Sequence, residues 1–204
     1  MAKFDFNLLG YAFQDVLKTM RSSFDLAAGA LATEIVRAQA ALSAYVAAVR
    51  MDPSAWVGER EEGMILWDQS QVLDMNIANA EEALMHLRKA FVIAAYHHWE
   101  RSARRWGKAG PKARHSQLSA ASLAEGYPVD PRLEAVVSLV NTLKHNSDVK
   151  GAALLAAWPE AFPPNFRPRT GRTDWYDAIS LSDRQVAEIC DAIGASGPTA
   201  RLTA

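Results

Sequence analysis

The chain has 204 residues, half of them apolar, and a formal charge of −1. That suits one helical domain with a sizeable core, excludes a disordered composition, and argues against a dedicated high-affinity DNA binder, which needs a large positive excess. The single cysteine, Cys190, excludes a disulfide framework and a cysteine-rich zinc site within one chain, and fits a reducing compartment.

In chain order, residues 5–20 read as a first helix, with Phe6, Leu9, Phe13, Val16, Leu17 and Met20 at helical spacing. Ser22, Ser23 and Asp25 offer a break, and residues 26–50 read as a long Ala-rich helix ended by Asp52-Pro53. That stretch is long enough to span a bilayer, but Glu34 and Arg37 sit inside it, and each charge costs roughly 2.5–3.5 kcal/mol at mid-membrane. A packed helix and no membrane partner are therefore expected. The opening residues lack the build of a secretion signal, so a cytoplasmic location is expected. Residues 53–66 read as a connection with room for one short helix.

The strongest periodicity covers residues 69–106, where Leu73, Ile77, Ala80, Leu84, Leu87, Phe91, Ala95, Trp99 and Ala103 recur in steps of three and four until Gly107. A basic loop, 107–116, leads to a short helix at about 117–125. Asp130-Pro131 predicts the start of a helix that runs to His145. Asn146-Ser147-Asp148 caps another, to Trp158. Residues 159–174 hold four prolines and read as an extended segment, 175–181 as one short strand, and Ser182-Asp183 as the cap of a last helix ending at 193. The tail from Gly194 is expected to fray. The fold class expected is all-α: an antiparallel helical bundle in one domain, 1–193, with a core at about 5–158, the Pro-rich segment 159–181 and a short C-terminal helix.

Three groups could carry chemistry. Asn141 and His145 are four apart and share a helical face with Ser138 and Glu134. His145 falls near a helix C-terminus, where the dipole favours its protonated form and where it can move protons near neutral pH. The bland alternative is a histidine that caps carbonyls or faces water. Second, His97, Glu100 and Arg104 fall together; His97-x-x-Glu100 reverses the order used by carboxylate-bridged metal bundles and has no second copy, so no metal and no cofactor are expected. Third, Arg101, Arg104, Arg105, Lys108, Lys112 and Arg114 lie within fourteen residues without an acid, a patch that can bind phosphate or simply face water. Cys190 lacks a basic neighbour in sequence and reads as a packed thiol. There is no Gly-rich phosphate loop, hydrolase elbow or DNA-binding motif.

Around Asn141-Thr-Leu-Lys-His145 the pattern resembles the HEPN superfamily of small helical bundles, over roughly residues 70–165. The family signature is an arginine, often followed by asparagine, then histidine four to six residues on. Asn141-x-x-x-His145 matches its second half, and Trp99-Glu100-Arg101 with the Lys144-His145-Asn146 run resembles a group of bacterial members. Val140 stands where the arginine would be. The resemblance implies a homodimer that binds RNA, and a metal-independent endoribonuclease of toxin or antiphage type. In that role His145 would exchange protons with the RNA. Asn141 would orient it, Lys144, Arg101 and Arg104 would hold phosphate, Arg105 and Lys108 would extend the basic surface, and Glu100 would support from behind. Val140 leaves two outcomes: a basic residue from another helix replaces the arginine, or catalysis is lost and the protein is a dimerisation or protein-interaction module.

Overall fold

The structure, a computed structural model, describes residues 6–169 and 171–201. Among these residues it is mostly helical, with seven α-helices and one two-stranded sheet. None of the helices is long and apolar enough to cross a membrane. The chain divides into two units. The first takes in the chain up to Phe24 and from Arg88 onward; the second is Asp25–Leu87.

The first two expected helices are one. Helix α1 runs Leu8–Met51 without interruption. The proposed break fails because it contains no glycine or proline and Ser23 Oγ bonds back along the helix, donating to Thr19 O at 2.9 Å. The expected connection at 53–66 holds a 3₁₀ turn, Pro53–Ala55, and then a β-hairpin, β1 Gly58–Glu61 against β2 Met64–Asp68. Its two-residue turn, Glu62-Gly63, has positive φ at both positions (49° and 84°), the mirror-image geometry that matches strand twist.

Helix α2 spans Gln69–Trp106, as its periodicity predicts. Helices α3 (His115–Ala124) and α4 (Leu133–His145) follow. Helix α3 starts two residues before the predicted position. Helix α4 starts two residues after Pro131, because Asp130 Oδ1 accepts from Arg132 N (2.8 Å) and organises a turn first. Helix α5 is Asp148–Ala157, capped by Ser147.

The Pro-rich segment contains one 3₁₀ turn, Pro159–Ala161, and the strand expected at 175–181 is instead a single helical turn, α6, Trp175–Ala178. Local bonding explains that. Asp174 caps the turn by accepting from Asp177 N, and Asn146 Oδ1 accepts from both Trp175 N (2.8 Å) and Tyr176 N (3.2 Å). Asn146 adopts left-handed backbone (φ 45°) at the end of α4, so one residue closes α4 and holds α6. Trp175 fills the slot beside Gly151, where a Cβ would fall 1.9 Å from the indole, and its Nε1 donates to Asp148 at 2.7 Å. Phe162 and Phe166 complete the aromatic cluster. Buried Lys89 donates from Nζ to Tyr176 O (2.6 Å) and lies over the Tyr176 ring.

Helix α7, Asp183–Gly194, begins with the predicted cap, Ser182 paired with Gln185. Residues 195–201 of the tail, expected to fray, are packed instead. Ser196, Gly197 and Pro198 are buried, Trp99 Nε1 donates to Ser196 O, and Asn7 N donates to Ala200 O at 2.9 Å. Gly10 permits this close approach, since a Cβ there would fall 2.0 Å from Thr199 O. Residue 5 of the first predicted helix, residue 170 of the Pro-rich segment and residues 202–204 of the tail lie outside the described residues.

In the second unit, only Ala28, Ala38 and Leu84 are buried hydrophobics. Its helices turn Leu31, Ile35, Leu42, Tyr45 and Val49, and Leu73, Ile77 and Ala80, into half-buried stripes at steps of three and four. Leu26, Val36, Val46 and Met51, and Met64 to Trp67 of β2, remain exposed.

Candidate functional site

Three helices of the first unit meet around a recess of about 420 Å³, lined by Tyr96, Glu100, Arg114, His115, Glu134, Asn141 and Lys144 among others. Spacing explains the convergence. On α2, Tyr96, Glu100 and Arg104 are successive i, i+4 neighbours. On α4, Glu134, Val137, Asn141 and Lys144 follow steps of three and four, with Val136, Leu139, Val140 and Leu143 buried. His115 opens α3, whose start is fixed by Gln117 Oε1 accepting from Arg114 N at 2.8 Å.

His115 is the centre of the polar contacts. The Tyr96 hydroxyl lies 3.0 Å from its Nδ1, and Glu134 Oε2 lies 3.3 Å from its Nε2, which also faces Ser119 Oγ at 3.4 Å. Its ring packs against Trp99, with centroids 5.3 Å apart. Burial lowers the His115 pKa below that of a free histidine; the nearby carboxylates of Glu134 and Glu100 pull the other way without reversing the shift. The imidazole is thus neutral at physiological pH. Burial, with help from the same two carboxylates, raises the Tyr96 pKa, so the phenol keeps its proton.

The charges in the recess are not matched within it. Glu100 Oε2 accepts from His97 Nδ1 at 2.7 Å, and Glu100 pairs with Arg104 at 3.6 Å. Arg104 Nε is buried without a hydrogen-bond partner. Arg114 and Lys144 are exposed, and neither side chain has an ion pair among the described residues. The recess therefore offers two cations without ion pairs, the Asn141 amide, a histidine whose pKa burial lowers, and the Glu134 carboxylate beside that histidine.

Of the residues singled out in the sequence, Asn141, Lys144 and Glu100 line this recess. His145 does not: it is the last residue of α4, exposed, one position beyond the lining face. Arg101 and Arg105 sit on the side of α2 that carries His98, whose proton affinity burial lowers first and their charges lower further. Arg105 lines a separate depression with His98 and Trp106, and Lys108 is exposed beyond the helix end. The basic run is thus split between faces of α2. Val140 is buried. Cys190 is buried in α7.

His115 was missed in the sequence because it falls in what reads as a basic loop. The available signal was Gln117, which marks a third helical position and so places His115 first in the helix. Among the described residues no group of three or more His, Cys, Asp or Glu is arranged to hold a metal ion. Compared with protein-family models, with curated proteins and with solved structures, the chain matches none.

Proposed function

We propose that this protein is a HEPN-like antiparallel helical bundle that binds RNA at the α2–α3–α4 recess and cleaves its phosphodiester without a metal, acting in the cytoplasm as a homodimer. The observation that carries the proposal is the pairing of uncommitted cations with a neutral histidine: Arg114 and Lys144 line the same recess as His115 and Asn141. Two cations without carboxylate partners favour an anionic ligand, and a phosphodiester needs its developing negative charge held as the bond breaks. Arg114, the residue before α3, supplies a guanidinium, whereas α4 carries Val140 where the signature has arginine. Asn141 adds a hydrogen-bond donor from the matching half of the signature. The histidine that the signature would name, His145, stands outside the recess, so in this reading His115 takes its place.

Incubating total RNA with the protein and a chelator tests the proposal. Wild type should cleave, and the Arg114→Ala/Lys144→Ala double variant should lose most of that cleavage. Equal cleavage by both proteins, or none by either, contradicts it.

A second reading, a protein-interaction module without catalysis, is favoured by the exposed apolar residues Leu26, Val36, Val46 and Met51 of α1 and Met64 to Trp67 of β2. It predicts self-association or partner capture that survives loss of Arg114 and Lys144.

A further inference from the structure

Resting on the RNA-cleavage reading, we infer that Tyr96 is the residue that exchanges protons with the substrate, and that His115, oriented by Glu134, is its proton reservoir. A carboxylate only accepts, so with Glu134 Oε2 3.3 Å from His115 Nε2 the relay assigns the proton to Nε2, against the alternative in which Nε2 accepts from Ser119 Oγ at 3.4 Å. Nδ1 is then a lone pair, and the Tyr96 hydroxyl 3.0 Å away donates to it. The order is hydroxyl, imidazole, carboxylate: an oxygen that can lose its proton, a base in reach, and a third group that fixes the tautomer of the base. Three different helices supply the members, α2, α3 and α4, and all three residues line one recess. Trp99 behind the His115 ring and Ser119 beside Nε2 hold the imidazole in place.

The arrangement also explains why a neutral histidine is useful here. His115 can act as acceptor only while unprotonated, and its burial keeps it so. When it gains a proton, the Glu134 and Glu100 carboxylates nearby stabilise the imidazolium. In the reaction, the 2′-hydroxyl of a bound ribose gives its proton to Tyr96 Oη as that oxygen passes its own proton to His115 Nδ1. The 2′-oxygen bonds to phosphorus and the bond from phosphorus to the 5′-oxygen breaks. The departing 5′-oxygen takes a proton from Tyr96 Oη, and His115 returns the stored proton to Tyr96. The products are a 2′,3′-cyclic phosphate and a 5′-hydroxyl; no proton, electron or co-reactant is consumed.

Two measurements test the relay. Long-range ¹⁵N–¹H NMR of the wild-type protein at neutral pH should show His115 as the Nε2–H tautomer. Steady-state cleavage of the dinucleotide uridylyl-3′,5′-adenosine in chelator should show kcat for Tyr96→Phe at least about 100-fold below wild type, the loss expected for a general acid–base group, with KM changed less than threefold because Arg114 and Lys144 remain. Glu134→Gln, which keeps shape but can present a donor to Nε2, should lower kcat and enrich the Nδ1–H tautomer. A wild-type His115 protonated on Nδ1, or a Tyr96→Phe variant that turns over within threefold of wild type, overturns the relay. A wild-type protein that leaves the dinucleotide intact overturns the RNA reading and the relay with it, whereas cleavage by wild type that Tyr96→Phe matches overturns the relay alone.

Discussion

The two units of this chain use similar helices to different ends. In the first, Trp99, Trp175, Leu118, Leu139, Ile189 and Ile193 are almost fully buried, and polar groups such as Lys89 and His98 are buried with hydrogen bonds. In the second, helices of the same chain bury little beyond Ala28, Ala38 and Leu84. Charge divides likewise. Residues 25–87 carry ten carboxylates against three arginines, so the remaining nineteen Lys and Arg, set against thirteen acids, fall in the unit that holds the recess. A near-neutral total conceals this, which is why net charge is a weak guide to whether an anion binds.

The sharpest way to break the packing comparison is a pair of truncations. Trp175→Ala removes a buried indole from its slot at Gly151 and should cost about 3–5 kcal/mol by urea unfolding. Val46→Ala, on an exposed turn of α1, should stay within about 0.5 kcal/mol. Comparable losses would show that the second unit's exposed face is covered.

A smaller effect sharpens the role of Asn146. Its side chain serves Trp175 N, Tyr176 N and Asp174, so Asn146→Ala should cost about 1–3 kcal/mol through the unsatisfied backbone groups, and hydrogen exchange should rise first at Trp175 and Tyr176. Unchanged exchange there contradicts the clamp.

The smallest effect is a pH dependence in the first unit. His98 is buried against Phe13, its Nε2 donates to Phe13 O at 3.0 Å, and burial lowers its pKa below 6.5. Because the unfolded chain takes up that proton first, stability falls as pH drops through 6.5 toward the folded-state pKa, and it is fully present above 6.5. His115 contributes in the same direction. Urea midpoints between pH 5 and 8 should fall less steeply in His98→Gln than in wild type; parallel slopes would remove His98 from the account.

Much of the helical content was legible in local pattern. The stripe from Leu73 to Ala103 and the stop at Gly107 fix α2, and Ser182 with Gln185 fixes the start of α7. What was not legible depended on long-range partners. Residues 53–66 read as a connection until β2 pairs with β1. Residues 175–181 read as a strand because nothing local announces that Asn146 will accept two of their N–H groups. The tail looks free until Gly10 and Trp99 are seen to receive it. For the site, helical spacing put Asn141 and Lys144 on α4, but it could not say that the recess lies over the face carrying Glu134 and Val137, one residue short of His145. Nor could it bring His115 to Tyr96 and Glu134, which are neighbours only through packing.

The central claim is that chemistry resides at His115. The most direct measurement is cleavage of an RNA oligonucleotide in chelator by wild type, His115→Ala and His145→Ala side by side, each first shown to be folded by circular dichroism. The account predicts that His115→Ala loses at least about 100-fold in rate while His145→Ala stays close to wild type. Loss of activity in His145→Ala with His115→Ala intact would contradict it.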